Sequence, residues 1–354
     1  MENNVKKNKN NKIWLSILFL VIAALTVWAV IQQNGGISVK ELLNDFSGAK
    51  IGWLIGALVC VCLYVWLEGH ALLTINRSLG YSGKFTDGIL YSAADIYCSA
   101  ITPSATGGQP ASAYFMIKRG IPGTVATVSL LVNLIMYTIS IVALGVLFII
   151  FRFDIILSLP LPAQLLIYIG IIAQIGLVLV FILLLSKGKI LWYIGDAGIR
   201  ILGKLRLLRK IERKREKFQN TFNNYRARVH EVSGQRSTLF KAFIYNFFQR
   251  LMITLISGFV CLAMGGTFND LVSVCALQAF VIMGASWIPI PGAMGVTDYL
   301  LLVGFASYWP HWSEDFSLHL ELCSRGISFY ACVLLCGGFV LLMMAKDKFR
   351  KCEK

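Results

Sequence analysis

Five ionisable residues lie inside apolar stretches of this sequence: Glu68, Asp95, Arg250, Asp298 and Arg325. A charge in hydrocarbon costs about 2.5–3.5 kcal/mol on insertion scales, so each needs a partner, a watery cavity or a role. Arg250 lies eleven residues past Leu239, where its apolar stretch begins; at helical rise this puts it about 16 Å deep. A guanidinium there offers a rigid fork of donors suited to phosphate or carboxylate. Its partner is either a ligand phosphate or a protein acid, Asp95 or Asp298, which a phosphate could displace. Those two acids could equally cap half-helices. Glu68 sits beside His70 near one end of its span, where a side chain can snorkel to the interface. Arg325 stands near the other interface, where it either holds lipid phosphate or anchors its helix.

Two of the acids border interruptions. After Asp95 comes Thr102-Pro103-Ser104-Ala105-Thr106-Gly107-Gly108-Gln109-Pro110, and before Asp298 comes Ile288-Pro289-Ile290-Pro291-Gly292-Ala293-Met294-Gly295. Proline removes a backbone donor and glycine loosens the chain, so neither stretch continues as a straight helix. Unpaired backbone at membrane depth survives only where protein or a watery cavity covers it. Paired interruptions in the two halves of a membrane protein point to a transport-type site, with half-helix N–H groups aimed at an anion. Plain kinks in ordinary spans are the alternative and would change the number of crossings.

The elements that must position these groups follow from composition. The chain has 354 residues, 57% of them hydrophobic and 14% charged, with a mean hydropathy of +0.69. Soluble domains carry about a quarter charged residues, so a soluble globular domain is excluded. The nine cysteines lie almost entirely in apolar segments without a paired CxxC, and the four histidines complete no zinc set. Buried free thiols and no metal site are therefore expected. No GxSxG, HExxH, Walker or Rossmann pattern occurs, so no catalytic residue and no cofactor is assigned.

The net charge of +15 is concentrated in three places. Residues 1–12 hold four lysines against one glutamate, residues 187–238 fourteen basic against four acidic residues, and the tail from Lys346 five against two. Such blocks could bind nucleic acid, but their position beside spans favours a membrane surface, and the positive-inside rule places all three in the cytoplasm. Within the middle block, Ile190–Leu208 suits a helix on the inner leaflet and the remainder a solvated helix.

Apolar runs of crossing length are Ile13–Ile31, Ile51–Leu67, Gly123–Phe151, Ala163–Leu185, Leu239–Met264 and Ser324–Met344. The first is followed by no small-residue cleavage site and is expected to be a retained anchor. Ile89–Ile101 is too short to cross and has basic residues on both sides. Leu271–Ile288 and Val296–Trp309 flank the second break without basic neighbours, and the acidic Pro310–Leu322 is expected as an external loop. The predicted fold class is all-α: a polytopic helical bundle of about six spans plus two re-entrant hairpins of opposite entry, as an inverted repeat would produce. The domain organisation is a basic N-terminus (1–12), a membrane domain (13–345, including the basic segment 187–238) and a basic tail (346–354).

At the two breaks the chain resembles the lysylphosphatidylglycerol synthase transmembrane family, the flippase-like membrane domain also found in the multiple peptide resistance factor. The matching residues are Thr102-Pro103-Ser104, Gly107-Gly108-Gln109-Pro110, Tyr114-Phe115 and Lys118-Arg119-Gly120, then Pro289-Ile290-Pro291-Gly292 and Gly295-Val296 with an acid at Asp298. The family tends to show Pro-Gly-Gly with Gly-Val-Arg-Glu, where this chain has Ala293, Thr297 and Asp298. The resemblance implies an integral membrane protein that handles lipid headgroups. In full-length members a separate cytoplasmic domain transfers lysine from lysyl-tRNA to phosphatidylglycerol, and the membrane part moves the product outward, which resists cationic antimicrobial peptides.

The expected function is a flippase-like protein that binds or translocates an anionic or aminoacylated phospholipid such as lysyl-phosphatidylglycerol. In that mechanism Arg250 meets the phosphate, and Asp95 and Asp298 an ammonium group, with Arg325 and Glu68 as further headgroup residues. Two alternatives are a phosphatidylglycerol lysyltransferase, for which the largest cytoplasmic segment of about fifty residues is short, and an isoprenoid-phosphate carrier or accessory subunit in cell-envelope glycosylation. The expected setting is the plasma membrane with both termini cytoplasmic. The expected partner is a phospholipid rather than nucleic acid, and self-association is left open.

Overall fold

The computed structural model describes residues 50–102, 105–186, 211–288 and 295–352. The expected first span (Ile13–Ile31), the interfacial segment Ile190–Leu208, and the motif residues Pro103, Ser104, Pro289, Pro291 and Gly292 lie outside the described residues.

In chain order the helices are α1 (Ile51–Ser78), α2 (Phe85–Ile101), α3 (Gly108–Lys118), α4 (Gly123–Ser158), α5 (Leu161–Ser186), α6 (Ile211–Ser233), α7 (Arg236–Ala263), α8 (Phe268–Ala285), α9 (Val296–Tyr308) and α10 (Glu314–Arg325). A π-helical turn (Gly326–Ala331) then joins α10 to α11 (Cys332–Cys352). Six of the described units are long and apolar enough to cross a membrane: Ile51–Ser78, Gly123–Ser158, Leu161–Leu183, Arg236–Ala263, Phe268–Ala285 and Glu314–Asp347. The fold is an all-α polytopic bundle.

Several boundaries differ from the sequence expectation for physical reasons. α1 runs on past Leu67 to Ser78 because the polar residues in its last turns, Glu68 and Asn76, are buried among other helices rather than solvated. α4 continues through Arg152, where φ −144° and ψ 39° kink it, to Ser158. Pro310–Leu322, expected as an external loop, is helical from Glu314. Ser313 caps it by accepting the Phe316 N–H at 3.1 Å, and Glu314 and Asp315 stand in the first turn at the positive helix end. α8, expected as a re-entrant arm, has 18 residues, about 27 Å of helix and thus close to the thickness of the hydrocarbon core. α6 was expected to be solvated, yet it buries Phe222, Val229 and Val232 along one face that packs on α4.

The core is the antiparallel pair α1 and α7, with α4 and α8 packed on α7. The Lys50 N–H donates to the Ala263 carbonyl at 3.0 Å at one end of the pair, and Gln235 Nε2 to the Ser78 carbonyl at 2.9 Å at the other. α2 crosses α1 closely where Gly69 and Gly88 face each other; a Cβ on Gly69 would lie 2.5 Å from the Gly88 oxygen.

The two broken segments return to the end from which they start. Arg119, just after α3, reaches Asp87 at the start of α2 at 3.0 Å. Trp309, just after α9, donates from Nε1 to Asp270 Oδ1 at the start of α8 at 2.8 Å. α2 follows directly from the Ser78 end of α1, and α8 from the Ala263 end of α7, so the hairpins α2–α3 and α8–α9 enter the bundle from opposite ends.

Candidate functional site

A cavity of about 470 Å³ lies among the two breaks, α1, α4, α7 and the α10–α11 unit. Its polar wall includes Tyr64, Ser99, Tyr137, Arg250, Gln278 and Arg325, and its apolar wall Ile96, Ile253, Ile282, Phe329 and Val333. Ala105 of the first break and Ile288 of the second line it as well. Ala105 holds φ at 52°, a left-handed value that an L-residue adopts only where its surroundings impose it, and such strain clusters at functional sites.

Arg250 is 5% exposed and is the most deeply placed cation of the wall. Its Nη2 donates to the Tyr64 hydroxyl at 2.9 Å and its Nη1 to the Tyr137 hydroxyl at 3.3 Å. The guanidinium carbon lies 5.0 Å and 4.3 Å from the two ring centres. Two phenols thus position the cation and soften its desolvation through their ring faces without neutralising it. Its Nε has no partner, and among the described residues no carboxylate comes within 4.0 Å of it. The alternatives Asp95 and Asp298 as ion-pair partners of Arg250 are therefore not what the fold forms. A cation in a cavity wall with no carboxylate in contact has the chemistry to meet an anion.

Asp298 pairs instead with Arg325, at 2.9 Å from Nε, while its other oxygen accepts the Gly295 N–H at 2.8 Å. It is both a helix-start cap, as one sequence reading allowed, and the counter-ion of the second cavity cation. The Arg325 side chain is largely enclosed, and it also lies 3.9 Å from Glu321, a carboxylate that sequence reasoning left in the loop. Asp95 accepts from Ser99 Oγ at 3.1 Å and stands behind Ser99 in the wall. Glu68 does not reach an interface: it is 7% exposed and accepts from Gln249 Nε2 at 2.8 Å. It faces α7 because helix α1 continues beyond it and α7 supplies the amide.

Of the broken-helix residues, Thr102 closes α2 by donating from its hydroxyl to the Cys98 carbonyl at 2.6 Å and accepting the Gly107 N–H at 2.9 Å. Gly108 is packed so tightly that a Cβ would fall 2.1 Å from Asp95 Oδ1 and 2.0 Å from Ser99 Oγ. Gln109 follows in the first turn of α3. Gly295 starts α9 with φ +80°, a value open chiefly to glycine.

Other polar residues of the interior were missed. Asn246 donates to Asn133 Oδ1 at 2.9 Å and Ser257 to Gln278 Oε1 at 3.0 Å. With Gln249 and Arg250 they form a stripe along α7 at helical spacing, a signal present in the sequence as polar residues within an apolar run. Tyr64 and Tyr137 gave no such signal, since tyrosines are ordinary in apolar helices.

A helical bundle with membrane-length helices, opened inside by two broken hairpins of opposite entry around a cationic cavity, is a polytopic membrane protein with an internal polar site. The family described as the lysylphosphatidylglycerol synthase TM region matches residues 13–336, and the chain belongs to that family. A comparison with curated proteins gives no match.

Proposed function

We propose that this protein binds the phosphate-bearing headgroup of an anionic phospholipid in the cavity between the hairpins and carries it between leaflets, with the acyl tails remaining in lipid. The observation that carries the reading is Arg250: a guanidinium in the cavity wall, held by two tyrosine hydroxyls, with no carboxylate within 4.0 Å among the described residues. The volume, about 470 Å³, falls in the range of small-ligand sites of about 300–1,000 Å³. Phosphatidylglycerol fits better than its lysyl derivative. The described lining residues include two guanidiniums and no Asp or Glu, while Asp95 and the Asp298–Arg325 pair are already engaged by the protein. The family supplies the lipid context, and the basic cytoplasmic segments that the positive-inside rule implies would enrich anionic lipid at the inner leaflet of the cell membrane, at about 1 kcal/mol per well-placed charge.

The test is reconstitution into liposomes carrying labelled phosphatidylglycerol or lysyl-phosphatidylglycerol, with leaflet exchange followed by a membrane-impermeant quencher. Arg250→Ala removes charge-assisted hydrogen bonds worth about 1.5–3 kcal/mol, so exchange falls at least about tenfold. Equal exchange in wild type and variant overturns the reading. Faster exchange of the lysyl lipid overturns the headgroup preference.

A further inference from the structure

One buried acid has no role in holding the headgroup. Glu68 is buried and is not among the residues of the cavity wall; it bonds Gln249, the neighbour of Arg250, and follows Tyr64, which bonds Arg250, on α1. Among the described residues no Lys, Arg or His nitrogen comes within 4.0 Å of it, and the donor at 2.8 Å is the neutral amide of Gln249. The groups that face it are Tyr64 on its own helix α1, Ser92 and Asp95 from α2, Gln249 and Arg250 from α7, and Cys332 and Cys336 from α11. From α4, Tyr137 reaches the same region through its bond to Arg250. Within that set Arg250 is the one positive charge and Asp95 the competing negative one.

Whatever negative charge a carboxylate holds in so dry a place leans on the Coulomb field of Arg250, because neutral donors such as the Gln249 amide do not replace water. An anion that settles on the guanidinium cancels that field and adds its own repulsion. The cheapest response is uptake of a proton from water by a Glu68 oxygen, which turns a buried charge into a neutral acid. The proton leaves by the reverse step when the anion departs. We propose that Glu68 is a proton site linked to the anion site at Arg250, so that the protein takes up one proton for each phosphodiester headgroup it binds. This rests on the headgroup reading of the cavity and deepens it. The loaded site then carries no more net charge than the empty one, and a pH difference across the membrane biases the direction of lipid movement. Linkage is reciprocal: the anion favours the proton and the proton favours the anion by the same factor.

The experiment uses the full-length protein in phosphatidylcholine nanodiscs and two probes that stay singly charged, dihexanoyl-phosphatidylglycerol and glycerophosphoglycerol. Calorimetry in buffers of different ionisation enthalpy reads protons taken up on binding. It is run at several pH values, because the linkage reads as a change of affinity with pH. Wild type takes up a proton, and its affinity weakens with rising pH, by at most about tenfold per unit. Glu68→Gln, which mimics the protonated acid, binds with no uptake and with an affinity that no longer changes with pH. Asp95→Asn keeps the uptake. Wild-type binding without uptake overturns the proton site while leaving the headgroup reading intact, as does Glu68→Gln with wild-type uptake. Binding of neither probe overturns both. Should Glu68→Gln not fold, the wild-type uptake and its pH slope decide alone. Binding of the acylated probe only, with uptake, assigns the site to lipid; binding of both assigns it to the headgroup by itself.

Discussion

The hairpin α2–α3 is closed at its mouth by ions and the hairpin α8–α9 by an indole. At the first, Arg119 bonds Asp87 at 3.0 Å and Asp347 of α11 at 3.2 Å, and Lys118 joins Asp347 at 2.7 Å. At the second, Trp309 donates to Asp270 and stacks on Trp312 with ring centres 4.5 Å apart, next to Phe305 and Phe316. Kinked α4 adds Arg152, whose guanidinium reaches Tyr308 and Asn269. The breaks differ too. Gly108 is wedged against Asp95 and Ser99, whereas Gly295 has open space around it among the described residues and is constrained by its dihedral alone. Two halves of similar topology thus reach the same shape through different physics. The first relies on charge at the mouth and on close packing at the break. The second relies on aromatic contact at the mouth and on backbone conformation at the break.

Substitutions at the breaks test this difference most strongly. At Gly108 the penalty should grow with side-chain size. Alanine overpacks by about 1–3 kcal/mol and leucine should prevent stable assembly, read as the thermal midpoint of the purified protein. At Gly295, alanine and leucine should be equally harmful, each by about 1–3 kcal/mol of backbone strain. A size-dependent loss at Gly295, or a flat one at Gly108, erases the contrast. Next in size is the mouth of the second hairpin. Trp309→Phe keeps the aromatic stack but loses the N–H to Asp270, which should lower stability by about 1 kcal/mol with no dependence on salt. The smallest effect belongs to the first mouth. Asp347→Asn breaks two partly exposed ion pairs, so the loss should be only about 0.2–1 kcal/mol and should shrink further in high salt. Should Trp309→Phe prove the salt-sensitive variant and Asp347→Asn the insensitive one, the assignment of forces to the two mouths is reversed.

Much of this was legible along the chain because hydropathy and charge act locally. The prolines and glycines announced both breaks, and the helices on either side of each are separate in the structure. Arg250, unusual in an apolar run, was readable as a cation that needs polar partners. Its partners were not, because Tyr64 and Tyr137 lie on two other helices and join it only when α1, α4 and α7 pack. Asp298 shows the opposite case. Its capping of Gly295 is a three-residue event visible in sequence, but its pairing with Arg325 depends on how α9 meets α10. The burial of Glu68 was not legible, because the sequence shows where an apolar run fades, not that a neighbouring helix will supply an amide to the acid.

The sequence by itself determined the solvent in which this protein folds, the segments that become helix and the two places where helix must stop, since each follows from the chemistry of consecutive residues. Tertiary structure alone decided which cation touches a carboxylate of the described residues and which does not. That choice depends on distances of a few ångströms between side chains far apart in the chain, and it puts Arg325 on Asp298 and Arg250 on two tyrosine hydroxyls.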